Sequence, residues 1–202
     1  HENTLYGKSE SWYFIEPPSE GWIYADSLIE DKKEIKRSIL NGDYESVVGK
    51  RLVSKNDLVY IPSGTLHALT RGALVYEIQQ STDITYRFFD YNRLDNDGKL
   101  RDLHLEDALD TLNTANRVKS SEFPKDTLVS EQPYTMVRKT LENVYHNTTD
   151  VAVAITVSKG SMCVDGHSIL AGMSILVLPD EAINISQAAE EVVIATPKLY
   201  FK

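Results

Sequence analysis

Charged side chains interrupt the apolar, β-patterned stretches in the first half of this chain at five positions. They are Lys8, Glu10, His67, Glu77 and Arg87. Burying groups this polar is costly unless they are paired or bind something. The pattern therefore favours a functional site inside a β-barrel over an ordinary apolar core.

The alternation of side chains across a strand gathers these groups on three strand faces. The predicted faces are Lys8, Glu10, Trp12 and Phe14; Ala73, Val75, Glu77 and Gln79; and Asp83, Thr85 and Arg87. If all three faces point into one barrel, its interior holds a lysine, two glutamates and an arginine. His67 would then lie at the mouth of the barrel, just past the turn Pro62-Ser63-Gly64.

Two of these residues are of types that bind metal. The imidazole of His67 and the carboxylate of Glu10 are both good zinc ligands, but a catalytic zinc normally takes three protein ligands. Each residue also has a commoner interpretation: a packed or capping histidine, and a surface strand carboxylate. For Lys8 alone, a solvated strand end is the commoner case.

The other two residues allow a catalytic and a structural interpretation. Glu77 lies inside an apolar run and could be a general base that moves a carbon-bound proton. A structural ion pair of Glu77 with Arg87 or Lys8 is an equally good interpretation. Arg87 could likewise be structural, although an arginine among aromatic residues suits a planar clamp for an oxyanion or a phosphate.

These residues must be positioned by a mainly β framework. Apolar patterns predict strands over residues 11–15, 58–61, 73–80 and 83–89, and a helix over 31–40 that ends at Asn41-Gly42. Leu105, Ala108, Leu109 and Leu112 form one helical stripe, and residues 113–132 look like a polar connection. The remaining histidines, His104, His146 and His167, are predicted at the surface. From Tyr134 onward, short strands alternate with turns such as Asp165-Gly166, which predicts a small barrel or sandwich.

Composition removes several classes of protein. The chain has 202 residues and a net charge of −9 without a basic stripe, so we expect no nucleic-acid partner. The single cysteine, Cys163, excludes an internal disulfide and is interpreted as a small buried hydrophobe. There is no apolar run long enough to span a membrane and no visible signal peptide. We expect a cytoplasmic protein with no membrane partner.

Three motifs carry a resemblance to a known family. They are Gly7-Lys8-Ser9-Glu10-Ser11-Trp12, Ile61-Pro62-Ser63-Gly64-Thr65-Leu66-His67-Ala68, and Glu77-Ile78-Gln79-Gln80-Ser81-Thr82-Asp83-Ile84-Thr85-Tyr86-Arg87. In this order and spacing the chain resembles type I mannose-6-phosphate isomerase, in its short bacterial form. The resemblance implies a cupin-type (jelly-roll-like) barrel with a small helical insertion, followed by a second, smaller cupin-like β domain.

The resemblance also implies boundaries and roles. Residues 1–94 would be the C-terminal part of the catalytic barrel with a helical insertion near 27–49. A helical connection would follow over 95–132, and the small β domain over 133–202. Zinc would be the cofactor, with Glu10 and His67 as metal ligands. Arg87, Glu77 and Lys8 would be the catalytic residues.

The implied reaction interconverts mannose 6-phosphate and fructose 6-phosphate through a cis-enediol, so the expected partner is a small sugar phosphate. The family pattern also has a Gln-x-His ligand strand that would precede His1, and we expect that N-terminal part to be missing from this sequence. The alternative is a non-catalytic cupin module, truncated or degenerate, that binds a sugar or a regulatory partner.

Overall fold

The computed structural model describes residues 7–82, 85–91 and 93–198. The chain divides into two compact units, His1–Ser121 and Glu122–Lys202. This division lies between the boundaries predicted at 94 and 132, so the helix assigned to the connection belongs to the first unit. No helix among the described residues is long and apolar enough to cross a membrane.

The described residues of the first unit form two β-sheets and two helices. One sheet has the strand order β6-β1-β4-β7 and the other the order β3-β2-β5. The elements are β1 (Glu10–Glu16), β2 (Trp22–Ser27), α1 (Lys32–Leu40), β3 (Val48–Leu52), β4 (Asp57–Ile61), β5 (His67–Ala68), β6 (Leu74–Gln79), α2 (Leu105–Thr111) and β7 (Lys119–Glu122), the last of which reaches the boundary between the units.

The apolar core of the first unit explains which way β1 faces. Trp12 and Phe14 of β1 pack in one buried cluster with Ile61 of β4 and Ile23 of β2. Because strand side chains alternate, Glu10 lies on the same face of β1 as Trp12 and Phe14. The charge of Glu10 is therefore turned toward the interior by the same alternation that builds the core.

The two helices form where the sequence indicates. The helix predicted over residues 31–40 is confirmed as α1, whose cap Asp31 accepts a hydrogen bond of 2.8 Å from the backbone N–H of Lys33. The buried Ile35 and Ile39 of α1 pack with Leu109 of α2 in a second cluster. The stripe predicted from Leu105 to Leu112 is thus also confirmed.

The strand predicted over residues 83–89 is wrong for the part that the structure describes. Asp83 and Ile84 lie outside the described residues, and residues 85–91 contain no strand. A strand needs a ladder of bonds to a neighbour. The backbone of Arg87 pairs with His104 instead: its N–H donates to Nδ1 at 3.5 Å, and its carbonyl accepts from the His104 N–H at 2.9 Å.

The second unit is built of strands. Its sheets have the orders β14-β11-β16-β9-β8 and β10-β15-β12-β13. The strands are β8 (Leu128–Ser130), β9 (Tyr134–Lys139), β10 (Asn143–His146), β11 (Val153–Lys159), β12 (Ser161–Val164), β13 (His167–Leu170), β14 (Ser174–Val177), β15 (Ala182–Gln187) and β16 (Glu191–Pro197). The predicted hairpin at Asp165-Gly166 joins β12 to β13, and both turn residues have positive φ, 47° and 82°.

Candidate active site

The candidate site is centred on Glu10, the first residue of β1. Glu10 pairs with Ile61 of β4 on one side and with Gln79 of β6 on the other. It is only 2% exposed, which makes it one of the largest fully buried side chains of the described chain. A carboxylate in this position must find cationic partners.

Two basic groups meet the carboxylate of Glu10. His67 Nε2 lies 3.0 Å from Oε1, and Lys8 Nζ lies 3.1 Å from Oε2. Burial alone would raise the pKa of Glu10, but the neighbouring His67 and then Lys8 outweigh it and hold this pKa below its ordinary value. Although Oε2 forms the ion pair, it makes no hydrogen bond of acceptable geometry within the described ranges.

The orientation of His67 is set by the turn that precedes it. Nδ1 lies 2.7 Å from the carbonyl oxygen of Thr65. Because a carbonyl only accepts, Nδ1 must carry the proton and Nε2 is directed to Glu10. The ring also packs edge-on against Trp12, with centroids 5.3 Å apart.

The neighbouring strand β6 adds a second carboxylate. Glu77 lies opposite Trp12 in the register of β1 and β6 and is exposed to solvent. Partial desolvation, and next the charge of Glu10, raise the pKa of Glu77, while Lys8, Trp12 and His67 oppose the rise. Lys8 Nζ also donates to Gln79 Oε1 at 3.0 Å, so this lysine links β1 to β6.

We tested whether these side chains fit a zinc ion. Bond lengths of about 2.1 Å at tetrahedral angles separate two ligand atoms by roughly 3.4 Å. The 3.0 Å between Glu10 Oε1 and His67 Nε2 is close to that separation. The pair therefore fits two positions of one zinc site, but no group of three or more histidine, cysteine, aspartate or glutamate side chains in residues 7–82, 85–91 and 93–198 is arranged so that it could hold a metal ion.

The hydrogen bonds described for Arg87 are made outside this cluster. Lys8, Glu10, His67 and Glu77 come together, whereas Arg87 contacts His104 and borders a separate open cleft of about 400 Å³. The cleft is lined by Arg87, Asp95, Lys99, Arg101, Asp102 and His104, together with Leu100. We take the cluster around Glu10 as the candidate reaction centre, because it gathers two carboxylates, an imidazole and an ammonium group around a buried position.

Three residues of the site were not identified as such from the sequence. Trp12 packs in the apolar core, yet its buried Nε1, which has no hydrogen-bond partner of acceptable geometry in the described chain, is near enough to Glu77 to oppose the rise of the Glu77 pKa. Gln79 was marked by its polarity inside β6. Asn116 carried no signal, because its partners Ser63 and Thr65 lie more than 50 residues away. His104, predicted at the surface, is half-buried against Arg87.

Comparison with known proteins supports the resemblance found in the motifs. A Bacillus subtilis protein named probable mannose-6-phosphate isomerase GmuF is 40% identical over 112 residues, which are 55% of this chain and 36% of that protein. The chain thus spans little more than a third of this relative. No protein-family model matches the chain.

Solved structures give a likeness over almost the whole chain. The mannose 6-phosphate isomerase of Bacillus subtilis matches 94% of this chain and 65% of its own, with a TM-score of 0.67 and 27% identity. An Archaeoglobus fulgidus protein, described as a putative mannosephosphate isomerase, matches 96% and 62% with a TM-score of 0.70 and 17% identity, which shows the fold alone. The mainly β, cupin-type fold and the resemblance to mannose-6-phosphate isomerases are confirmed.

Proposed function

We propose that this chain carries the reaction centre of a zinc-dependent aldose–ketose isomerase that interconverts mannose 6-phosphate and fructose 6-phosphate through a cis-enediol. The reaction class is supported by the relatives named above. The single observation that supports it in this molecule is the convergence of Lys8, Glu10 and His67 within 3.1 Å, with Glu77 on the adjacent strand.

Glu10 and His67 are the residues that would hold the zinc. They supply one carboxylate oxygen and one imidazole nitrogen, a donor set that zinc accepts. When bound, the ion would act as a Lewis acid toward a sugar oxygen. Holding Nδ1 protonated through Thr65 keeps Nε2 available as the donor atom.

Glu77 is proposed as the base that moves the proton between C1 and C2 of the sugar. A base works best when its pKa lies near the working pH, and the pKa of Glu77 is raised toward that range. The solvent-exposed position of Glu77 leaves it accessible to a substrate, unlike the buried Glu10. In each direction the carboxylate would take the proton from one carbon and return it to the other.

Lys8 is proposed to stabilise the negative charge that develops on a sugar oxygen during enolisation. Its ammonium group is oriented by Glu10 and by Gln79 rather than by solvent. A donor held in place before the reaction begins stabilises developing charge without a reorganisation cost. The orientation of Lys8 by two neighbours is thus as important as its charge.

Arg87 is proposed to bind an anionic oxygen of the sugar phosphate. Its cleft also contains Lys99 and Arg101, although Arg101 is already paired with Asp90. A planar guanidinium suits a bidentate contact with a phosphate group. Arg87 would then act on the substrate from a cleft distinct from the cluster around Glu10.

The test is to incubate the purified full-length protein with zinc and mannose 6-phosphate in deuterated water and follow the sugar by NMR. We expect about one zinc per chain, formation of fructose 6-phosphate, and exchange of the C2 hydrogen with solvent. Glu16→Gln is a matched control, because Glu16 lies at the far end of the same strand β1. A chain that binds the sugar phosphate without zinc, turnover or exchange would instead be a non-catalytic binding module.

A further inference from the structure

The turn before His67 is held by contacts from a distant segment of the first unit. Within the turn, Thr65 Oγ1 donates to the carbonyl of Pro62 at 2.6 Å, and the Thr65 carbonyl lies 2.7 Å from His67 Nδ1. Gly64 adopts φ +79°, where a Cβ atom would also meet the Thr111 carbonyl at 2.7 Å. The direction of the His67 ring therefore depends on where the Thr65 peptide is held.

Asn116 holds this turn from outside. Its Nδ2 donates to the carbonyl of Ser63 at 2.8 Å and to Thr65 Oγ1 at 3.1 Å. Both acceptors belong to the turn that precedes His67, and Thr65 itself is 8% exposed. Both hydrogen bonds donated by this carboxamide are thus made to the turn.

The segment that carries Asn116 is itself fixed at several points. The Asn113 N–H donates to the Gly64 carbonyl at 2.9 Å, and the Asn116 N–H donates to the Asn113 carbonyl at 3.1 Å. Further on, the Val118 N–H donates to Asp26 Oδ1 at 2.7 Å. The carboxamide of Asn116 is therefore presented by a backbone with little freedom to move.

We infer that Asn116 is a positioning residue for His67, which acts by fixing the Thr65 peptide and, through it, the imidazole. This inference rests on the proposed function, because it gives His67 the role of a zinc ligand. Groups behind metal ligands commonly change metal affinity 10- to 100-fold when they are removed. Among the described residues, the side-chain hydrogen bonds of Asn116 go to the turn, and not to the proposed metal ligands or to the residues that line the cleft.

The test compares Asn116→Ala with Asn113→Ala in the full chain. The Asn113 side chain accepts a hydrogen bond from the Ala115 N–H within its own segment, so its removal perturbs the same segment without touching the turn. We expect Asn116→Ala to raise the zinc Kd about tenfold or more, whereas Asn113→Ala changes it less than about threefold. Both variants should retain the wild-type circular dichroism spectrum.

A second readout needs no metal. In the zinc-free chain, ¹⁵N-resolved NMR should show a protected Nδ1–H signal for His67 that is retained in Asn113→Ala and lost in Asn116→Ala. If the wild-type chain binds no zinc, the proposed function fails, but this signal still tests the positioning role. The isosteric Asn116→Asp, which lacks the donors, serves if the alanine variant does not fold.

Retention of the protected signal in Asn116→Ala or Asn116→Asp would overturn the inference. So would equal losses of zinc affinity in the Asn116 and Asn113 variants, because the effect would then belong to the segment as a whole and not to the two donated hydrogen bonds.

Discussion

Both units of the chain bury polar side chains, and they satisfy them differently. In the second unit, Arg138 donates to Glu191 from Nε at 3.0 Å and from Nη2 at 2.5 Å, and also to the Phe123 carbonyl. The fully buried Asn147 donates to two carbonyl oxygens, those of Val151 and Val177. These groups form closed networks that hold strands and turns together.

The first unit leaves buried polar atoms unsatisfied. Within the described ranges, the buried side-chain atoms without a hydrogen bond are Glu10 Oε2, Trp12 Nε1 and Thr82 Oγ1, and all three lie in the first unit. Glu10 Oε2 belongs to the cluster around Glu10, where it is ion-paired with Lys8, and Trp12 Nε1 lies near Glu77 of the same cluster. Buried polar groups in folded proteins are usually hydrogen-bonded, so the atoms of the first unit that lack a partner need an explanation, and a functional role of the site is one.

The largest effect is expected at Glu77. We expect Glu77→Gln to lower turnover of mannose 6-phosphate about 10³-fold, because the amide cannot accept the carbon-bound proton. Zinc content should be unchanged, since Glu77 is not a proposed ligand. Exchange of the C2 hydrogen into deuterated water measures the step directly, with Glu16→Gln as control. Persistent exchange would require another base.

Two variants test the difference between the units: Glu191→Gln in the second unit and Glu10→Gln in the first. Glu191→Gln should lower the free energy of unfolding by about 3 kcal/mol, because it removes a carboxylate that pairs with the buried guanidinium of Arg138. Zinc affinity should not change. Glu10→Gln should instead weaken zinc binding about a hundredfold, and it should lower the free energy of unfolding by less than Glu191→Gln does.

Urea unfolding and zinc titration measure the two quantities for both variants. If Glu191→Gln reduced zinc affinity as much as Glu10→Gln does, the cluster around Glu10 would not be the metal-binding site.

Arg87 of the first unit can be compared with Arg138 of the second, because activity is expected to depend on Arg87 and stability on Arg138. We expect Arg87→Ala to lower kcat/KM about a hundredfold, because the proposed charged contact of the guanidinium with the sugar phosphate is lost. Its stability should change little, unlike that of a variant at the buried Arg138. Steady-state kinetics of Arg87→Ala, with the exposed Arg71→Ala as control, provide the measurement. Wild-type kinetics in Arg87→Ala would remove this residue from the reaction.

The smallest effect is the pH dependence of stability. The pKa of Glu10 is lowered in the folded chain, so its ionisation stabilises the fold above its ordinary value of 4.5, and this contribution is lost as the pH falls below that value. The pKa of Glu77 is raised, so its contribution has the opposite sign and favours the fold as the pH falls. Urea unfolding between about pH 3 and pH 6 should therefore show a weaker acid destabilisation in Glu10→Gln than in wild type, and a stronger one in Glu77→Gln.

Much of the fold could be predicted because its elements carry local signals. The apolar run of β4, the cap and stripe of α1 and the Asp-Gly turn between β12 and β13 are each visible in a few neighbouring residues. By contrast, β7 contains only exposed Lys119, Ser120, Ser121 and Glu122 and gives no apolar pattern. Such an edge strand is formed by backbone pairing with its neighbour, which sequence alternation does not reveal.

The candidate site was predictable only in part, for a similar reason. Glu10 and Glu77 are conspicuous because they fall on faces that otherwise hold apolar residues. The position of Arg87 was not predictable, because it depends on a backbone pairing with His104 instead of on a strand. The hydrogen bonds from Asn116 to the turn were also not predictable, because they join two segments that are far apart in the sequence.

The antiparallel register between β1 and β6 limits how this sequence can change. Glu10 stands opposite Gln79, and Trp12 stands opposite Glu77. Deleting one residue inside β6 would rotate the following side chains to the other face, presenting Ile78 where Glu77 or Gln79 is needed. We therefore expect length variation among natural homologues to accumulate in the connections before Leu74 and after Gln79, while the spacing inside the strand stays constant.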